Sequence, residues 1–198
     1  MARGTDATAE VQSRTIEIDE YDNQFGERMW PRFSVSDNRF VLEKKTQDPR
    51  TGPTEIECDV AEKTINQYTL VETSGRSRLG TASSLKHYDQ LLFVVRSGDE
   101  WTCFDPYNVG AARPRRGRDC SEYEPTQVPG VSTNLVFRRQ GGRGSESRHK
   151  RRYKIERETV ESFDEVWMIE YRWEQGGSRN GSYSRVKNAT ATKLGLDA

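Results

Sequence analysis

Cysteine, histidine and uninterrupted apolar runs are all scarce in this sequence. Its 198 residues hold three cysteines, Cys58, Cys103 and Cys120, and two histidines, His87 and His149, with no CxxC pair. That count and spacing argue against a structural zinc site. No N-terminal apolar segment of the secretory kind is present, and no apolar run reaches the roughly 18 residues that a membrane span needs. The expectation is a soluble, cytoplasmic protein with no membrane partner. A glycine-rich phosphate loop, a CxxC redox element and a Ser/His/Asp arrangement are also missing, so kinase, redox and triad-hydrolase chemistries have no support. Apolar residues make up 32% of the chain against 31% charged. That is a low apolar share for a globular protein, and it implies a compact core with extensive solvated surface.

The net charge of zero conceals two unlike halves. Residues 1–107 carry 13 basic and 19 acidic side chains, and residues 108–198 carry 18 and 12. An acidic half is thus followed by one able to hold a polyanion. Residues 1–14 read as a disordered tail, residues 15–107 as an α/β core, and residues 108–198 as a basic, β-rich subdomain. Within the core, Tyr21, Phe25 and Met29 recur at helical spacing in Glu20 to Arg32, which predicts a short helix ending at Pro31. Strands are expected at Phe40 to Leu42, Glu55 to Val60 and Tyr68 to Glu72, the first two joined by the turn residues of Asp48 to Pro53. A second helix is expected at Ala82 to Tyr88. Leu91-Leu92-Phe93-Val94-Val95 is the most apolar run and suits a central strand buried on both faces. Asp99 to Phe104, Asn134 to Phe137, Val166 to Trp173 and Ser182 to Lys187 complete the strands. The Gly/Arg-rich segments 112–118 and 138–152 read as loops. The resulting fold class is mixed α/β, a central mixed sheet flanked by helices.

Acids sit inside two of the apolar segments, Asp59 in Glu55-Ile56-Glu57-Cys58-Asp59-Val60 and Glu72 in Tyr68-Thr69-Leu70-Val71-Glu72-Thr73. On adjacent strands such a pair can converge at one end of a sheet. Two carboxylates held close repel each other and favour a hard dication such as Mg²⁺. The ion would polarise a scissile phosphate and activate water. The bland reading is a pair of strand-end carboxylates that face water or pair with lysine and arginine.

This arrangement resembles the restriction-endonuclease-like superfamily, the PD-(D/E)xK nucleases. Ile56-Glu57-Cys58-Asp59-Val60 is similar to their Asp-bearing strand, Leu70-Val71-Glu72-Thr73-Ser74 to their second motif, and Ser83 to Asp89 running into Leu91 to Val95 to the helix and strand that follow. The resemblance covers about residues 20–107 and implies Mg²⁺-dependent cleavage of double-stranded DNA by a homodimer, with site-specific restriction as one form of that activity. Asp59 and Glu72 would be the metal ligands and Glu27 the acid contributed by the first helix. The family lysine is replaced by Ser74, so Lys86, Ser74 or Arg76 would orient water or contact phosphate. A second alignment uses Asp37 with Glu43-Lys44-Lys45.

Arg113, Arg115, Arg116 and Arg118 in one basic segment, and Arg148, Lys150, Arg151 and Arg152 in the other, would grip phosphates together with Arg76. Tyr107, Tyr123 and Tyr153 flank them. Two further readings stay open: a nucleic-acid-binding module that has lost catalysis, and a phage-like structural or partner-binding protein whose Arg/Gly loops order in an assembly.

Overall fold

A computed structural model of the protein describes residues 14–18, 21–22, 28–44, 55–78, 84–106, 122–139, 146–178 and 181–197. In chain order the strands are β1 (Thr15–Glu17), β2 (Tyr21–Asp22), β3 (Arg28–Ser34), β4 (Arg39–Lys44), β5 (Glu55–Glu57), β6 (Asp59–Ile65), β7 (Tyr68–Arg78), β8 (Ser84–Ser97), β9 (Glu100–Phe104), β10 (Glu124–Pro125), β11 (Val131–Arg139) and β12 (Glu146–Glu156). A five-residue helix α1 (Arg157–Glu161) leads into β13 (Glu165–Ser178) and β14 (Gly181–Leu196).

Among the described residues α1 is the only helix, so the expected α/β class gives way to a nearly all-β fold. Both expected helices lie, where described, in strands. Arg28 to Arg32 belongs to β3, paired antiparallel with β4. Pro31 cannot continue a helix, and the turn residues Ser36, Asp37 and Asn38, the last at φ 51°, fold the following residues back on it. Ser84 to Tyr88 opens β8, held between β13 on one side and β7 on the other. Its serine, histidine and tyrosine lack strong helix preference, and ladder partners on both edges decide the outcome. The expected 138–152 loop is likewise corrected at both ends, because 138–139 belongs to β11 and 146–152 to β12, while 140–145 lies outside the described residues.

Strands β1, β3, β4 and β5 form a first sheet, with β2 beside β3. The second sheet runs β10-β11-β12-β7-β8-β13-β14-β6, and β9 pairs with β8. Strands from both sides of residue 107 are interspersed in it. All its pairings are antiparallel except β14 with β6. The run Leu91 to Val95 is buried on both faces, as its composition predicts. Leu92 and Val94, with Trp167, Ile169 and Tyr171 of β13, pack against Phe33, Phe40 and Leu42 of the first sheet. Leu91, Phe93 and Val95, with Val166 and Met168, pack against Val71, Val131, Tyr153 and Ile155 of β7, β11 and β12.

That second core exists because β7 leaves β8. The two pair only between Gly75–Arg78 and Leu85–Tyr88, and β9 takes the same edge of β8 farther along, opposite Phe93–Ser97. From Ser74 back to Tyr68, β7 follows β12. The β7-β12-β11 layer therefore covers one face of β8-β13 and turns its other face outward.

Candidate functional site

The carboxylates of the nuclease reading are not on neighbouring strands. Asp59 begins β6 at one edge of the second sheet, and β14, β13 and β8 lie between it and the β7 strand that carries Glu72. Asp59 is exposed and in register with Thr190. Glu72 faces outward from β7 and is engaged by cations: Lys150 Nζ donates to its Oε1 at 2.6 Å, and Arg152 Nη2 lies 3.6 Å from Oε2. The Lys150 hydrogen bond, with Arg152 assisting and partial burial opposing, holds the carboxyl below the usual glutamate value. Among the described residues no group of three or more His, Cys, Asp and Glu side chains could hold a metal ion. Lys86 lies in β8, in register with Gln175 and Ser77. In the second alignment, Asp37 sits in the exposed β3–β4 turn and Glu43 pairs with Arg32 at 3.5 Å. Glu27, Arg113, Arg115, Arg116 and Arg118, like residues 1–13, lie outside the described residues.

Ser74 has a structural partner. Where β7 leaves β8, the Ser74 amide and hydroxyl donate to Asp89 Oδ2 at 3.2 and 2.8 Å, and Arg172 Nε donates to Asp89 Oδ1 at 2.8 Å. One carboxylate thus replaces the ladder partner that the strand loses at the fork. Burial pushes the Asp89 carboxyl up, but the hydrogen bonds from Arg172 and Ser74 outweigh it and hold the group below the ordinary aspartate value.

Replacing Asp89 by alanine leaves the Ser74 amide without this acceptor. The expected loss is about 1–3 kcal/mol, toward the low end because solvent screens the ion pair. A depressed carboxylate contributes stability above the ordinary aspartate pKa of about 4 and loses it as pH falls through the folded-state value. Urea unfolding at a series of pH values should therefore show the gap between parent and Asp89→Ala closing in acid. A gap that stays constant or widens there would refute this role.

The basic run forms a surface once it is read as a strand. Along β12 the residues alternate: Arg151, Tyr153 and Ile155 turn inward and are buried, while Arg148, Lys150, Arg152 and Lys154 turn outward. Arg151, expected to grip phosphate, is 5% exposed, and its Nη1 donates to Thr133 Oγ1 at 3.4 Å. Tyr153 is buried too, and Tyr107 lies outside the described residues. Register extends the outward face across β7 and β11. Arg148 is paired with Arg76, Lys150 with Ser74 and Phe137, Arg152 with Glu72, Lys154 with Leu70, and Glu156 with Tyr68. Among the described side chains, Arg76, Arg148, Lys150, Arg152 and Lys154 thus share one face with the carboxylates Glu72 and Glu156.

Apolar side chains stand exposed among them: Tyr68 at 52%, Leu70 at 45%, Phe137 at 40% and, close enough to Lys154 to act on its charge, Tyr123 at 36%. Lys154 Nζ lies 5.0 Å from the Tyr68 ring centroid, a cation–π contact. Sequence reading missed Lys154, Tyr68, Leu70 and Phe137 as members of a site. The available signal was the short period-two alternation of basic and apolar residues from Arg152 to Ile155, which marks a strand with one charged face. No helix among the described residues is long and apolar enough to cross a membrane. No protein family, curated protein or solved structure matches this chain.

Proposed function

We propose that this chain is a non-catalytic nucleic-acid-binding module whose contact surface is the outward face of β7, β12 and β11. The observation that carries this reading is the alignment of Arg76, Arg148, Lys150, Arg152 and Lys154 on one sheet face, interleaved with exposed Tyr68 and Phe137. Lysine and arginine supply salt-sensitive affinity for phosphate, and exposed rings supply stacking surface that water does not reward. Catalysis is left out because its two proposed metal ligands stand on strands with three others between them, and Glu72 is already held by Lys150 and Arg152. The nuclease expectation also rested on an α/β core, in whose place the described residues form a nearly all-β one.

Fluorescence anisotropy with labelled oligonucleotides tests the binding. At low salt the protein should bind, and log affinity should fall linearly with log salt at a slope of about −2 to −4, as expected for roughly three to five neutralised phosphates. Plasmid incubated with the protein and Mg²⁺ or Mn²⁺ should remain supercoiled. No binding at any salt would reject the proposal, and nicking abolished by Glu72→Ala would restore the nuclease reading in its place.

A further inference from the structure

The aromatic members of this face narrow the ligand further. We infer, resting on the nucleic-acid reading above, that the surface takes a single strand of DNA or RNA, with phosphates along β12 and unpaired bases against Tyr68 and Phe137.

A duplex presents phosphates and base edges, and its base faces are stacked away inside. Exposed Tyr68 and Phe137 would gain little from it, whereas an unpaired base offers its full face for stacking. An α-helix is one element that the major groove of a duplex admits. The only helix among the described residues, α1, is five residues long, and its Thr159 is buried beside Gly130. Geometry along the strand agrees. Alternate residues of a strand are about 7 Å apart, so Arg148, Lys150, Arg152 and Lys154 form one line about 20 Å long. A single line of cations follows one backbone. Phe137 stands beside Lys150 toward one end of that line, and Tyr68 lies under Lys154 at the other. Each ring is therefore placed next to a phosphate-binding cation, where a base attached to the neighbouring sugar can reach it.

Glu72 occupies the middle of the line, paired with Lys150 and Arg152. A phosphate arriving there competes with a carboxylate already in place. Glu72 thus acts as a resident competitor that keeps the central subsite weak until flanking contacts are made.

Four probes of equal length distinguish the outcomes: unstructured single-stranded DNA, single-stranded RNA, blunt duplex DNA, and heparin as a polyanion without bases. The full chain should prefer either single strand over duplex by at least about tenfold. Tyr68→Leu with Phe137→Leu, which keeps apolar bulk and removes the rings, should erase that preference while leaving duplex and heparin binding and the salt slope unchanged. Glu72→Gln should tighten single-strand binding severalfold. Equal affinity for duplex and single strand, or a double leucine variant that binds single strands as the parent does, overturns this inference while leaving nucleic-acid binding standing. Binding of heparin alone removes both readings.

Discussion

Truncation of Trp167 to alanine is expected to cost about 3–5 kcal/mol, the largest loss from any fully buried side chain among the described residues. Trp167 is 1% exposed and lies where the first sheet meets the second, its ring 4.7 Å from that of Phe40 and 5.7 Å from that of Phe33. Phe33 and Phe40 stack on each other at 4.2 Å across the β3–β4 hairpin. The hairpin therefore presents a paired aromatic plate to one indole, and removing the indole opens a void under both rings. Few rearrangements can fill it, because the neighbours Ile169 and Leu92 are fixed in the stretches Val166–Ile169 of β13 and Leu91–Val95 of β8, which are buried on both faces. The indole nitrogen donates to Glu165 Oε2 at 3.2 Å, and Lys193 Nζ lies 5.6 Å from the ring centroid. A typical domain has only about 5–15 kcal/mol of stability in total, so the variant should unfold at a much lower urea midpoint. Tyr68→Ala, at an exposed position, is the matched control and should move the midpoint little. Similar midpoints for the two variants would mean that the first sheet does not depend on this contact.

The strands that proved legible in the sequence are those whose burial is two-sided or whose β-preference is dense. Leu91 to Val95 and Val166 to Trp173 needed no context, because a short, wholly apolar run rich in β-branched and aromatic residues has few other places to go. The segments misread as helices are those where the local signal was mixed. Tyr21, Phe25 and Met29 satisfy a helical spacing, but the partner that converts Arg28 to Ser34 into a strand is the β4 ladder, a tertiary fact that no window of residues contains. The register of β7 was equally hidden. Its acidic residue was visible as an acid inside an apolar strand, yet adjacency in the chain suggested adjacency to β6, whereas β7 pairs with β12, some 80 residues onward. Parallel pairing of β6 with the last strand, β14, completes the separation of Asp59 from Glu72.

The site was half legible for a related reason. A basic segment carries the same charge whether it is loop or strand, so Arg76, Arg148, Lys150 and Arg152 could be named from composition. Arg151 could not be set apart from its neighbours, because its inward orientation follows from strand alternation alone. Ser74 illustrates the opposite case. It is conspicuous as the residue standing where the nuclease motif has lysine, while the structure gives it Asp89 as a partner at the point where two strands separate.

Reversing the two central cations, Lys150→Glu with Arg152→Glu, is expected to weaken oligonucleotide binding by about 100-fold or more at low salt. Each residue contributes an attraction on the order of 1 kcal/mol to a phosphate about 4 Å away in a water-like dielectric, and reversal replaces it with repulsion of similar size. Two such changes amount to roughly 3–4 kcal/mol before screening, and each 1.4 kcal/mol is about tenfold. The salt slope should fall by about 1.5 as two phosphate contacts are lost. Both side chains face outward from β12, whose inward neighbours Arg151 and Tyr153 hold the core contacts, so the fold should tolerate the change. The reversal also leaves Glu72 beside two new acids. Adding Glu72→Lys returns one ion-pairing arrangement and one cation to the face, and should recover part of the lost affinity without restoring either original residue. Retained circular dichroism with lost binding locates the interface on β12. Unchanged binding by the folded double variant would place the nucleic-acid contact elsewhere, and a drop in affinity with no change in salt slope would mean that Lys150 and Arg152 shape the surface without touching phosphate.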